Sequence, residues 1–241
     1  MKIAITFILF LGIVCVPRSG AAQIVNIESA RMQSDTVGWM GAVGAGFSLK
    51  KTPQDIFEAN VESHFQYKTS RDKGLWLFLG NFNILKVNSS KFSSEALAHI
   101  RYNYKLTDVI RWEVFGQYQN NVITQIDSRI LIGTGPRFKL IKSATFHLYA
   151  ASLVMYEREN ERTKPVVQHN DARNSSYVSF TWLPRTNIEL ISTTYFQPLF
   201  TRFSDYRILN QTSFKVKATP HFGMIASWNY LHDRFPAGTS P

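Results

Sequence analysis

A chain of 241 residues falls within the range of one all-β domain. It is 44% hydrophobic and 14% aromatic, yet beyond the N-terminus no segment offers the ~20 apolar residues that a spanning helix needs. That excludes a helical membrane protein and leaves a closed membrane barrel, a soluble sandwich or a calycin barrel, while the formal charge of +10 leaves nucleic acid and anionic surfaces open as partners.

Lys2 precedes an apolar run over 3–16, and Gly20, Ala21 and Ala22 then offer small residues before Gln23. This reads as a secretory signal peptide over 1–22, too short and wrongly flanked for an anchor. The neighbours of Cys15, which are Gly12, Ile13 and Val14, fit a lipoprotein signal poorly. Cleavage removes the one cysteine, so the exported chain has no disulfide and must hold itself by its sheet. It also removes Lys2 and Arg18 from the 27 basic residues, leaving 25 against 17 acidic ones, or +8. An exported chain rarely meets nucleic acid, so none is expected as a partner; an anionic lipopolysaccharide surface or a barrel lumen accounts for the basic balance.

Residues 23–37 alternate weakly and read as a periplasmic lead-in. From there to 241 the chain alternates apolar with polar residues, the mark of strands with two different faces. In the first strand, 38–50, Trp39, Val43, Ala45, Phe47 and Leu49 oppose Gly44, Gly46 and Ser48. In the second, 56–68, Phe57, Ala59, Val61, Phe65 and Tyr67 oppose Glu58, Asn60, Glu62, His64, Gln66 and Lys68. The third, 74–87, puts Trp76, Phe78, Phe82 and Ile84 on one face.

Three runs between Ser94 and Leu140 carry the clearest pattern. Ile100, Tyr102 and Tyr104 oppose His99, Arg101 and Asn103; Trp112, Val114 and Tyr118 oppose Arg111, Glu113 and Gln117; Ile130, Ile132 and Phe138 oppose Arg129, Gly133, Gly135 and Arg137. The strings IRYNYKLTD, WEVFGQYQNN and SRILIGTGPRFKL in this stretch resemble the core of the salt-induced outer-membrane protein family. The resemblance is diffuse over most of the exported chain and sharpest here. It implies an all-β, antiparallel up-and-down transmembrane β-barrel of about twelve strands, with outer-membrane lipid and the barrel-assembly machinery as partners. It implies no established biochemical activity.

Five further strands follow, at 145–157, 173–183, 187–197, 206–218 and 221–232. Runs of ~9–14 residues suit a tilted span of the hydrocarbon layer, and aromatic residues gather towards strand ends as interfacial girdles do. Short connections at 106–109, 140–144, 183–187 and 218–222 alternate with longer ones at 120–127, 158–172 and 198–205. Outer-membrane barrels have short periplasmic turns and long outer loops, so the rhythm places the N-terminus in the periplasm and the protein in the bacterial outer membrane. Eleven strands is an odd count where single-chain bacterial barrels are even. The expectation is that a final strand follows Pro241; the alternative is that residues 24–33 supply the twelfth.

On the inner parity, the candidate network of lumen charges comprises Glu58, Glu62, His64, His99, Arg101, Arg111, Glu113, Arg129 and Arg137. The turn at Thr107 and Asp108 sets a register that brings Arg101 near Glu113, with Arg111 and Asn103 beside them. Such a network either forms a basic constriction selecting anions or zips the lumen shut with charge pairs; the second is the simpler reading. No metal or cofactor motif, nucleophile elbow or phosphate loop is present, so neither metal nor cofactor is expected. Gly133 and Gly135 read as small residues on a curved strand. Function reads as a non-enzymatic outer-membrane barrel, either a narrow channel or an envelope-integrity protein. Two alternatives stand beside it: a soluble periplasmic barrel binding a lipophilic ligand, and an outer-membrane lipase-like enzyme using outward serines such as Ser176 or Ser192 with His232.

Overall fold

The computed structural model describes residues 37–51, 53–70, 73–88, 90–219 and 222–236. Eleven strands form one sheet: β1 (Gly38–Lys51), β2 (Asp55–Lys68), β3 (Gly74–Val87), β4 (Ser90–Lys105), β5 (Ile110–Asn121), β6 (Ile126–Lys142), β7 (Phe146–Glu161), β8 (Gln168–Arg185), β9 (Ile188–Leu199), β10 (Arg202–Lys217) and β11 (Gly223–Asp233). Each strand pairs antiparallel with the next in chain order, giving an up-and-down meander. Among the described residues β1 and β11 do not pair with each other. Because both are odd-numbered they run the same way, and direct closure would have to be parallel. The segment 24–33 lies outside the described residues.

From β4 to β10 the strands follow the side-chain parity expected from their hydropathy, while both faces of the edge strands β1 and β11 are largely exposed. The period of two sends Ile100, Val114, Ile132, Val154 and Val178 to one face, where they are exposed. It sends Arg101, Glu113, Arg129, Met155 and Tyr177 to the other, where they are buried. Burial on that second face requires the sheet to curl. Tyr177 on β8 donates to Glu113 on β5 at 3.0 Å, and Arg207 on β10 reaches Glu157 on β7 at 2.8 Å. Side chains from β4 to β10 share one enclosed cavity, so this face is the concave interior. Within it Phe115, Leu131, Leu153, Met155, Tyr195 and Leu209 form an apolar layer.

The ends of the strands depart from the sequence reading. Residues 158–161 and 168–172 belong to β7 and β8, and 198–199 and 202–205 to β9 and β10. The connections expected at 120–127, 158–172 and 198–205 shrink to 122–125, 162–167 and 200–201. The long-and-short rhythm of loops is therefore absent, and the argument that it fixes the position of the N-terminus falls with it. The physical reason is that these polar residues pair across strands: Asn160 Nδ2 donates to Ser128 Oγ at 2.8 Å, and Glu159 takes both Nε and Nη2 of Arg129.

At the opposite end of the sheet the rims are aromatic. Trp39, Tyr67, Trp76 and Tyr102 are successive cross-strand partners on β1–β4, with ring centroids 5.0 Å apart for Trp39–Tyr67 and 4.4 Å for Trp76–Tyr102. Such pairs add to sheet stability beyond their buried area. The nearby turn between β4 and β5 is fixed by Thr107 Oγ1, which accepts from the Ile110 amide at 2.9 Å. There Lys105 hydrogen-bonds Asp108 and holds its carboxyl below its usual range.

Gly133 and Gly135 lie on β6 against the backbone of β7, and Gly133 also lies under the Phe115 ring of β5. A methyl on Gly135 would meet the Ser152 carbonyl oxygen and the Leu153 Cα, both backbone. On Gly44 it would meet nothing within 4 Å. Gly135→Ala should therefore cost about 1–3 kcal/mol through overpacking, whereas Gly44→Ala should be close to neutral. Urea midpoints of the folded protein in detergent or liposomes check the contrast.

Candidate functional site

The interior of the curled sheet carries two ionic clusters separated by the apolar layer. The first joins β4, β5, β6 and β8. Asn103 is the direct cross-strand partner of Glu113, and Arg101 reaches the same carboxylate diagonally, Nη1 to Oε2, at 3.1 Å. Arg137 Nε lies 3.7 Å from the other oxygen, Oε1, and donates to Tyr177 Oη at 3.1 Å. The Arg137 guanidinium also lies 3.8 Å from the Tyr149 ring centroid, a cation–π contact. His99 stacks on Phe115 with centroids 5.6 Å apart and lies 2.9 Å from Gln117 Oε1.

The second cluster joins β6, β7, β8, β10 and β11, and Glu157 is its node. Its carboxylate meets Arg129 at 3.2 Å, Arg173 at 3.3 Å and Arg207 at 2.8 Å. Glu159 binds Arg129 and lies 3.5 Å from Arg207. Arg173 continues to Asp205 at 3.0 Å, and Arg207 to Asp233 at 2.9 Å. All of these side chains are buried. Taking a charge out of water costs several kcal/mol, and only several close opposite charges with hydrogen bonds can compensate it. Here every buried carboxylate of the cluster has at least one guanidinium against it, and the short charge-assisted bonds are the strong kind.

The candidates read from the sequence divide accordingly. Arg101, Glu113 and Arg137 meet in the first cluster, with His99 alongside, and Arg129 belongs to the second. Arg111 is half-buried on the same face, opposite Lys105 and Arg137. Glu58 and Glu62 are exposed on β2 and His64 is half-buried there, away from both clusters, because β2 lies near the open edge of the sheet. The sequence reading missed Glu157, Glu159, Arg173, Asp205, Arg207 and Asp233. The signal was present: Glu157 and Glu159 continue the parity of Leu153 and Met155, and Arg173 precedes Ser175 and Tyr177 at the same spacing.

Between the clusters a cavity of about 30 Å³ is lined by Arg101, Arg129, Arg207, Gln117 and Gln197, among others. That is room for a water or two. Among the described residues no group of three or more His, Cys, Asp and Glu side chains is arranged to hold a metal ion. The outward serines are engaged elsewhere than with His232. Ser176 bonds Ser152 at 3.0 Å and Ser192 bonds Thr212 at 2.8 Å, while His232 packs on Tyr206 with centroids 5.7 Å apart.

Residues 39–240 match the model of a family described as a protein of unknown function, DUF481, and the chain belongs to that family. No curated protein and no solved structure matches it.

Glu157→Gln should cost about 3–5 kcal/mol, because three buried guanidiniums lose their shared partner. Glu62→Gln, at an exposed site, should stay within about 0.5 kcal/mol. A double-mutant cycle of Arg101→Met with Glu113→Gln should give a coupling of about 0.5–3 kcal/mol. Denaturant unfolding of the detergent-folded protein measures all three.

Proposed function

We propose that this chain is a non-enzymatic β-barrel of the bacterial outer membrane whose interior is closed by an ionic plug, and that it serves the integrity of the envelope. The observation that carries the reading is the inversion of inside and outside. Arg129 and Glu157 are 1% exposed and Glu113 is 0% exposed, while Phe47 is 80% and Trp228 62% exposed. Soluble proteins seldom fill an interior with ion-paired Arg and Glu, and they rarely leave ranks of Phe, Trp, Ile and Val uncovered. A sheet whose apolar wall faces lipid and whose polar face turns inward does both. No helix among the described residues is long and apolar enough to cross a membrane.

The resemblance to salt-induced outer-membrane proteins and the export signal over 1–22 support the same location. The interior argues against two other roles. A carrier of lipophilic ligands needs an enclosed apolar cavity of several hundred Å³; the interior cavity is about 30 Å³ with polar and apolar lining, and the recess of about 370 Å³ beside Gly80, Ala98 and Gly116 is open. A channel needs a continuous aqueous path, whereas the two clusters cross the interior from β4 to β11. Lipase-like chemistry needs a base within hydrogen-bond reach of its nucleophile, and His232 is turned to Tyr206.

Membrane fractionation and gel mobility test the location, and planar bilayers test the plug. The protein should sediment with outer membranes and migrate faster unboiled than boiled. Purified protein should give no sustained conductance steps. Recovery as a soluble periplasmic protein with one gel mobility would overturn the membrane reading. Sustained steps would overturn the plug while leaving the location intact.

A further inference from the structure

The outward wall is not uniformly apolar. Ser152 on β7, Asn174 and Ser176 on β8, Ser192 and Thr194 on β9, and Asn210 and Thr212 on β10 all share the outward parity. They are hydrogen-bonded in two groups, one on β7 and β8 and one on β9 and β10. Asn174 Nδ2 and Ser176 Oγ both donate to Ser152 Oγ at 3.0 Å. Asn210 Nδ2 donates to Thr194 Oγ1 at 2.9 Å and to Ser192 Oγ at 3.3 Å. Ser192 and Thr212 share a bond at 2.8 Å, and Thr212 donates to Asn210 Oδ1 at 3.2 Å. Ser152 faces Ser176, Thr194 faces Asn210 and Ser192 faces Thr212 across the ladders, while between β8 and β9 Ser176 faces Phe196 and Thr194 faces Val178, so the island has two halves that are diagonal neighbours on one wall.

The island sits at mid-strand. Towards one rim it is bounded by Trp182, Leu190 and Phe214, which are successive cross-strand partners. Phe196, the direct partner of Ser176, and Ile208, the partner of Phe196, stand level with the β7–β8 half, and Tyr206 lies towards the other rim. The wall of β4–β6 offers Ile100, Val114, Ile130 and Ile132 instead. On the membrane reading proposed above, on which this inference rests, the island lies among acyl chains. Lipid tails offer neither donors nor acceptors, and a polar group left to them costs several kcal/mol. The internal bonds occupy only part of the capacity of these groups, since each hydroxyl oxygen has two acceptor sites and each amide two donors and two acceptor sites.

We infer that this face is covered in the membrane by a second copy of the same chain, through a two-fold contact centred on the island. Whatever covers it must bring donors and acceptors together, carry no charge, and present them at mid-membrane depth. Lipid headgroups meet the first condition but lie at the interfaces. An identical island meets all three: every member both donates and accepts, so the surface is complementary to itself under a two-fold axis. None of the seven side chains is ionised, so two copies meet without like-charge repulsion. The face from β7 to β11 is about 19 Å wide and about 30 Å tall, roughly 600 Å² in projection, from the ~4.8 Å strand spacing and ~3.4 Å rise. That approaches the ~800 Å² per partner of a standard stable interface.

The test uses single cysteines in a Cys15→Ala background, which removes the one native cysteine. Thr194→Cys and, on the opposite wall, Val114→Cys are treated in isolated outer membranes with a short bis-maleimide. Thr194→Cys should yield a product of twice the monomer mass, and Val114→Cys should yield at least tenfold less. Adding Asn174→Leu and Asn210→Leu should abolish the Thr194 product while outer-membrane fractionation and heat-modifiable mobility stay unchanged. Membrane-embedded protein that gives no doubled product at Thr194, or equal products at both positions, overturns the inference alone. A Thr194 product of another mass means a foreign partner and also overturns it. Protein absent from the outer membrane overturns the underlying membrane reading together with the inference.

Discussion

Glu157 cannot leave water unless guanidiniums leave with it, and the rest of the architecture follows from the three that do. Arg129 comes from β6, Arg173 from β8 and Arg207 from β10. A flat meander would hold β7 and β10 three strand spacings apart, about 14 Å. The 2.8 Å contact between Arg207 and Glu157 can form only if the sheet bends through those strands. Curvature and charge burial are therefore one event: the bend brings the arginines to the carboxylate, and the carboxylate makes the bend tolerable.

Once the concave face is committed to charge, the other face has to hold the apolar residues. The two-residue period of a strand permits no other division. The apolar layer of Leu131, Leu153, Met155, Tyr195 and Leu209 lies between the ionic clusters and keeps them separate. From β4 to β11 the concave face is thus filled by three different means: ion pairs at one level, packed apolar side chains at the next, and the Glu113 cluster beyond them. A wall of exposed Val, Ile, Phe and Trp outside such an interior is what a lipid environment would require, and it supports the proposal of an outer-membrane location.

Most of this fold was legible before any coordinates, because alternating hydropathy is a direct readout of faces. All eleven strands and their parity follow from it, and so does the proximity of Arg101 to Glu113, since a long side chain reaches a diagonal neighbour as readily as a direct one. Two parts were not legible. At 158–161 and 168–172 both faces are polar, with Arg158, Asn160 and Asn170 outside and Glu159, Glu161 and His169 inside. There the alternation of hydropathy vanishes although the alternation of side chains does not, and strand was mistaken for loop. Glu58 and Glu62 have the inner parity, but parity says nothing about distance from the open edge, where the concave face offers no opposing charge.

All five tryptophans, Trp39, Trp76, Trp112, Trp182 and Trp228, lie on the outward parity, and their fluorescence tests the central claim of an apolar wall in contact with lipid. The protein is folded into vesicles of phospholipid brominated along the acyl chains and compared with unbrominated vesicles. Strong quenching by bromine, with little quenching by acrylamide from the water phase, is the result this account predicts. Emission unaffected by brominated chains but quenched by acrylamide would contradict it.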